Sequence, residues 1–233
     1  MSVALITGGS RGFGRALGQA LVRRGWSVVI DGRDAGDLEE AAAPMREASA
    51  PEASVTAIPG DVTSGEHREA LAEAVARSGG LDLLVNNASL LGAPLVQLGH
   101  LADDVLRRLY EVNVLAPLAL VQSLLPALRA AGGTVVNVSS DAAVEHYDTW
   151  GGYGSSKAAL DHLTSTLAVE EPAVRWLSFD PGDMNTRMHE EAFPGEDISD
   201  RPAPATVVPR LVTLLEGDFA SGRYRAAEIP GAR

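Results

Sequence analysis

The sequence contains a single lysine, Lys157, standing four residues after a tyrosine in Tyr153-Gly154-Ser155-Ser156-Lys157. The remaining eighteen basic side chains are arginines. The chain therefore uses an ammonium at one place only, where a compact, mobile charge is wanted and a planar guanidinium does not substitute. If the segment is helical, residues i and i+4 share a face and their side chains meet. A lysine beside a phenol favours the phenolate and lowers the tyrosine pKa from about 10 towards neutrality, which makes a general acid/base.

A second cluster, Thr7-Gly8-Gly9-Ser10-Arg11-Gly12-Phe13-Gly14, has the spacing T-G-x-x-x-G-x-G. Glycines at 8, 12 and 14 permit a tight turn and let backbone N–H groups approach a pyrophosphate at the positive end of a helix. The cluster ends one apolar run and opens one helical stretch, which is the context of a dinucleotide site.

The elements that must position these residues follow from periodicity. Short apolar runs at Val3-Thr7, Ser27-Asp31, Ser54-Ile58, Leu81-Asn86, Thr134-Ser139, Val174-Phe179 and Arg223-Glu228 alternate with helical stretches. The helices are expected near Gly12-Arg24, Gly36-Ala48, Ser64-Ser78, Leu101-Arg129, Gly152-Glu170 and Ala205-Glu216. This alternation predicts an α/β fold, a single doubly wound Rossmann-type domain over residues 1–233 with a seven-stranded parallel sheet covered on both faces. The long irregular stretch 181–204 carries four prolines and follows a strand's carboxyl end, so it is expected to be a substrate lid.

Composition narrows the function. The chain has no cysteine, which excludes disulfides and thiolate chemistry and makes a reducing, cytoplasmic setting the expectation. A net charge of -12 repels nucleic acid and anionic membrane surfaces. No apolar run is read as a membrane span, and Val3-Ala4-Leu5-Ile6 is too short for a signal peptide. The five histidines, His67, His100, His146, His162 and His189, lack ligand spacing, so no metal site is expected and they are read as surface or pocket-wall residues.

Taken together, these residues resemble the short-chain dehydrogenase/reductase family, in its ordinary rather than extended branch. The resemblance spans nearly the whole chain. Gly8, Ser10, Arg11, Gly12, Phe13 and Gly14 look like its nucleotide turn, Asp61-Val62 like its adenine-contacting pair, and Asn86-Asn87-Ala88 like the start of its N-N-A-G segment. Asn113, Ser140, Tyr153 and Lys157 match its catalytic tetrad, and Pro181, Gly182, Met184 and Thr186 its P-G-x-[aliphatic]-x-T stretch. Two departures stand out: Ser89 replaces the last glycine of N-N-A-G, read as a change in backbone freedom rather than in chemistry, and the V-D-G-G tail is not matched.

The resemblance implies hydride transfer between a nicotinamide and a carbonyl or alcohol carbon. Tyr153 would act as the acid, Lys157 would hold its pKa down and bond the ribose, and Ser140 would bind the oxygen. Pro117 has no N–H for the Asn113 carbonyl four residues earlier. The family's proton-relay water would sit on that freed carbonyl, although packing explains a kink equally well. In register with the family, the position that discriminates between nicotinamides falls on Gly32, with Asp31 one residue early and facing the other way. Arg33, with Arg11, falls where a 2′-phosphate would lie, so NADPH is expected and NAD is the alternative. Substrate contacts are expected from Leu91, His146, Tyr147, Trp150 and Met188, within walls spanning 90–96 and 141–150 and the lid. The function read here is an NADPH-dependent carbonyl reductase. The alternatives are an NAD-dependent secondary alcohol dehydrogenase and a catalytically silent nucleotide-binding regulatory protein. Partners are limited to a small carbonyl or alcohol substrate and further copies of the chain, paired as a homodimer or homotetramer through the helices at Leu101-Arg129 and Gly152-Glu170.

Overall fold

The computed structural model describes residues 2–230. Seven parallel strands, β1 (Val3–Ile6), β2 (Ser27–Gly32), β3 (Val55–Pro59), β4 (Leu83–Asn86), β5 (Thr134–Val138), β6 (Arg175–Asp180) and β7 (Gly222–Arg225), form one sheet in the order β3-β2-β1-β4-β5-β6-β7. The order reverses between β1 and β4, which places a crevice at the carboxyl ends of the strands there.

Alternation along each strand divides the core in two. Ile6, Ile30, Val85, Val138 and Phe179 face α1 (Gly12–Val22), α2 (Ala35–Glu47) and α8 (Pro204–Glu216), whereas Leu5, Val29, Leu84, Val135 and Trp176 face α3 (Gly65–Arg77) and α5 (Ala116–Ala131). Strands buried on both faces read as continuous apolar runs, which is why they were legible in the sequence. Side-chain caps start helices here: Asp34 accepts from the Asp37 N–H at the start of α2, and Ser64 from the His67 N–H at the start of α3. Gly132 closes α5 in the left-handed region.

Three expectations are corrected. The helix expected over Leu101-Arg129 is divided into α4 (Asp103–Tyr110), a π turn (Glu111–Leu115) and α5, because Pro117 removes a rung of the ladder and the chain widens to i→i+5 bonding, Ala116 N–H to Glu111 O. That same run, Asp103–Ala131, is long and apolar enough by length and composition to cross a membrane, with 29 residues and a mean hydropathy of 1.6. Its Leu120, Val121, Leu124 and Leu128 pack into the core against the sheet. The last strand ends at Arg225 rather than 228, with a 3₁₀ turn over Ala226–Glu228. The irregular stretch after β6 contains one short helix, α7 (Arg187–Ala192), started by the Thr186 hydroxyl accepting from the His189 N–H. The long helix α6 (Gly151–Glu170) carries Tyr153 and Lys157.

Candidate active site

A cleft of about 1480 Å³ runs across the carboxyl ends of the strands, from the glycine turn past Ser140, Tyr153 and Lys157 to α7. At one end the turn between β1 and α1 is built for close approach. Gly8 and Gly12 have positive φ of 66° and 56°, and a Cβ on Gly14 would stand 2.6 Å from the Gly8 carbonyl oxygen. Asn87 locks the turn: its Nδ2 donates to the Thr7 carbonyl at 2.8 Å and the Gly8 carbonyl at 3.1 Å, while the Asn87 and Ala88 N–H groups donate to Thr7 Oγ1 at 3.0 Å. Phe13 lines the cleft and stacks on Phe179 with centroids 5.7 Å apart.

Asp31 is buried beneath this turn. Its Oδ1 accepts from the Gly8 N–H at 2.6 Å and its Oδ2 lies 3.0 Å from His67 Nε2. Burial pushes its carboxyl up, against the hydrogen bonds from His67 and Gly8. Gly32 follows, and a Cβ there would meet Ser10 at 3.0 Å. Arg11 and Arg33 line the cleft, exposed, and neither makes an ion pair among the described residues. Asp61 accepts from the N–H and hydroxyl of Thr63 and pairs with Arg108 at 2.6 Å, and it lines the cleft with Val62. On the opposite wall Gly182, at φ 72°, donates its N–H to Asp180, and Pro181, Met184 and Thr186 line the same cleft. Backbone N–H groups at a helix N-terminus and unpaired guanidiniums suit the phosphates of a dinucleotide. The residues therefore fit the nicotinamide cofactor that the sequence implies.

Deeper in the cleft, Tyr153 and Lys157 occupy one face of α6, with the ammonium 5.6 Å from the centroid of the phenol ring. Lys157 Nζ donates to the Val138 carbonyl at 2.8 Å, and burial lowers its pKa to about 8 while Asp161, one turn along, opposes the shift. Tyr153 corrects an expectation. Burial raises its pKa above the ordinary 10, outweighing the Ser140 and Ser89 hydroxyls that pull it down. Desolvation wins because the phenol is buried and the ammonium is turned to a carbonyl rather than to the phenol oxygen.

Asn113 lies fully buried in the π turn. Its Oδ1 accepts from the Leu90 N–H and the Ser89 hydroxyl, and its Nδ2 donates to the Leu90 carbonyl and to Ser156 Oγ. Ser89 is thus a chemical residue of the site as well as a backbone substitution, because its hydroxyl joins Asn113 to the surroundings of the phenol. Ser140 donates to Asp141 Oδ1 at 3.0 Å, and Asp141 Oδ2 accepts from Tyr147 at 2.9 Å.

Of the expected substrate contacts, Leu91, Tyr147, Trp150 and Met188 line the cleft. His146 does not: it is exposed and outside the lining, and the buried His189 of α7 takes that place, its ring 4.8 Å from Phe193. Sequence reasoning also missed Arg223 of β7. It donates to the Ser140 carbonyl at 2.9 Å, to Asp180 at 3.0 Å and to Asp161 at 3.0 Å, and Asp161 also accepts from Ser139. One guanidinium thereby ties together the ends of β5 and β6 and the helix of the Tyr-Lys pair.

Comparison with known proteins accords with this geometry. The family model described as short chain dehydrogenase matches residues 2–197. Benzil reductase ((S)-benzoin forming) of Saccharomyces cerevisiae is 30% identical, over 99% of this chain and 87% of its own. Among solved structures, an alcohol dehydrogenase from the archaeon Thermococcus sibiricus complexed with 5-hydroxy-NADP superposes with a TM-score of 0.86 at 28% identity, covering 97% of this chain and 95% of that one. A short chain dehydrogenase of Shigella flexneri complexed with NADP gives 0.90 at 28%, covering 97% of each. The family match over most of the sequence and the shared seven-stranded sheet agree: this chain is an oxidoreductase of the short-chain dehydrogenase family.

Proposed function

We propose that the protein is an NADPH-dependent reductase that converts a ketone or other carbonyl to a secondary alcohol. The observation that carries this reading is the convergence of Ser140, Tyr153 and Lys157 on one cleft continuous with the glycine turn. The nicotinamide, when bound, supplies the hydride. Tyr153 gives its proton to the carbonyl oxygen, a phenol held above its ordinary pKa being protonated at neutral pH. Ser140 turns its O–H from Asp141 to that oxygen and stabilises the charge gathering there. Lys157 holds the ribose side of the site and, one helical turn from Tyr153 on α6, returns a proton to it.

NADPH is the preferred form in this reading. Arg11 and Arg33 are unpaired at the end of the cleft where the 2′-phosphate would lie, and Asp31 is engaged by Gly8 and His67 rather than facing a ribose. Two neighbouring structures hold NADP or its hydroxy derivative, and a yeast relative bears the name of a reductase. The stretch from Pro181 to Pro204, with α7 on the cleft wall, closes over substrate as a lid. A cytoplasmic location belongs to the same proposal, as does assembly into at least a dimer, supported by the exposed apolar Leu115 of the π turn and Val169 of α6.

The test is a panel of ketones and alcohols with both nicotinamides, followed through the nicotinamide absorbance. Turnover of carbonyls with NADPH ahead of NADH is expected. Turnover of alcohols alone, or tight nucleotide binding with no turnover at all, overturns the reading.

A further inference from the structure

The chain is poor in aromatic residues, with four phenylalanines, three tryptophans and four tyrosines in 233 positions. Four of those eleven rings nevertheless meet at the substrate end of the cleft. Trp150 is the hub: its ring lies 5.9 Å from Tyr153, 5.9 Å from Phe193 and 6.4 Å from Tyr147, all centroid to centroid. His189 extends the row from Phe193. Trp150 and Phe193 are only partly buried and both line the cleft, so these rings are a wall rather than core filling.

Two geometric features bear on what the wall receives. The contacts of Trp150 with Tyr147 and Tyr153 are edge-on, at interplanar angles of 69° and 75°. Edge-to-face and offset arrangements are the favourable ones for rings. The hub also lies within one ring's width of the phenol that would hold the carbonyl oxygen. A planar group bonded directly to the carbonyl carbon is therefore brought beside Trp150, and Phe193, 5.9 Å from Trp150, continues the wall.

Charge restricts the ligand further. At the substrate end the cleft is lined by Asp141, Asp183, Glu190 and Glu191, whereas at the nucleotide end Arg11, Arg15, Arg33 and Arg108 stand among Asp31, Asp34, Asp37 and Asp61. Arg187 and Glu191 pair at 3.0 Å and cancel, Asp183 lies 3.9 Å from Arg201, and Lys157 is turned to the Val138 carbonyl, which leaves Asp141 and Glu190 as the carboxylates without an ion pair there among the described residues. A carboxylate or phosphate on the substrate would meet like charge and find no free cation.

We propose that the substrate is an uncharged aryl ketone, its ring attached directly to the carbonyl carbon and carrying no anionic group. This rests on the reductase reading above. The test compares three methyl ketones of similar shape with NADPH: acetophenone, its saturated counterpart cyclohexyl methyl ketone, and the anionic 4-acetylbenzoate. Ring–ring contact predicts a kcat/KM for acetophenone about 3- to 10-fold above the saturated ketone, and like-charge repulsion predicts at least about tenfold above 4-acetylbenzoate. Phe193→Leu narrows the first ratio towards unity and leaves the second in place. Equal or faster turnover of cyclohexyl methyl ketone or 4-acetylbenzoate overturns the substrate assignment while leaving the reductase intact. If no carbonyl is turned over, the reductase reading itself fails, and saturation-transfer NMR of acetophenone and 4-acetylbenzoate on the NADPH-saturated protein decides the substrate assignment. Contact to the acetophenone ring that is lost in Trp150→Leu supports it. Equal contact to both compounds, or none, overturns it.

Discussion

Replacing Arg223 with Met removes the guanidinium that joins three elements of the site while keeping a stem of similar length. The variant leaves the Ser140 carbonyl without that donor and leaves two carboxylates short of a cation, Asp180 at 3% and Asp161 at 14% side-chain exposure. Breaking a buried pair from one side costs about 3–5 kcal/mol, because the remaining charge is uncompensated. Here the loss is softened. Arg223 is itself 24% exposed, Arg225 stands 3.6 Å from Asp180, and Ser139 still donates to Asp161. About 2–3 kcal/mol is expected, a fall of roughly 5–10 °C in Tm for a chain of this size. Thermal unfolding followed by circular dichroism reads it directly. Turnover, measured well below the melting transition, should also fall by about tenfold or more as Ser140 loses its anchor. Adding Asp161→Asn to Arg223→Met removes one orphaned charge and should restore part of the lost stability. A melting temperature within 2 °C of wild type, a shift about the size of 0.5–1 kcal/mol, would refute the account of Arg223 as a clamp.

Five further outcomes follow from the site. Tyr153→Phe keeps the ring and removes the acid, so turnover drops by about 100- to 10,000-fold with NADPH affinity, read by calorimetry, close to wild type. Burial lowers the Lys157 pKa to about 8 and raises that of Tyr153, so the ammonium is the first of the pair to lose its proton as pH rises. The rate of reduction should decline above about pH 8, and the residual rate of Lys157→Arg should show no such limb; a wild-type rate that is flat to pH 10 contradicts this. The same shift makes the folded state bind fewer protons than the unfolded state between about 8 and 10.5, so this group adds stability as pH rises through that window. Arg33→Ala should weaken NADPH binding by at least about tenfold, the size of one charge-assisted bond, and leave NADH binding nearly unchanged; equal losses for both count against the 2′-phosphate assignment. Ser89→Gly, which restores the family's usual residue, should lower turnover several-fold without lowering nucleotide affinity, and a rate equal to wild type would return Ser89 to a purely backbone role.

The parts legible in the sequence were those written in short range. Runs such as Val3–Ile6 and Ser27–Gly32 announce buried strands, and the glycine turn and the Tyr153–Lys157 spacing are complete within eight and five residues. What escaped depends on contacts far apart in the chain. Arg223 meets Ser140 across 83 positions and Asp31 meets His67 across 36, and no local pattern marks either. His146 and His189 were equivalent as letters; only the path of the chain after β6 puts one in solvent and the other against Phe193. The direction of the Tyr153 shift escaped because desolvation is a property of the folded surroundings, whereas the proximity of Lys157 can be read from spacing. The π turn was half legible: Pro117 foretold a broken rung but not the wider loop before it.

The crowding between Gly32 and Ser10 bears on how such a chain could change coenzyme over evolutionary time. A carboxylate at position 32 would be the direct way to grip an unphosphorylated ribose, but its Cβ would meet Ser10 at 3.0 Å. Nor can Asp31 be recruited instead, since turning it outward strips the Gly8 N–H and His67 of their partner. The switch is therefore epistatic. Gly32→Asp alone strains the turn it is meant to serve, whereas Ser10→Gly first opens the space and makes the second step accessible. Mutational paths that begin at position 10 avoid this contact, whereas those that begin at position 32 require the Ser10 side chain to give by a few tenths of an ångström.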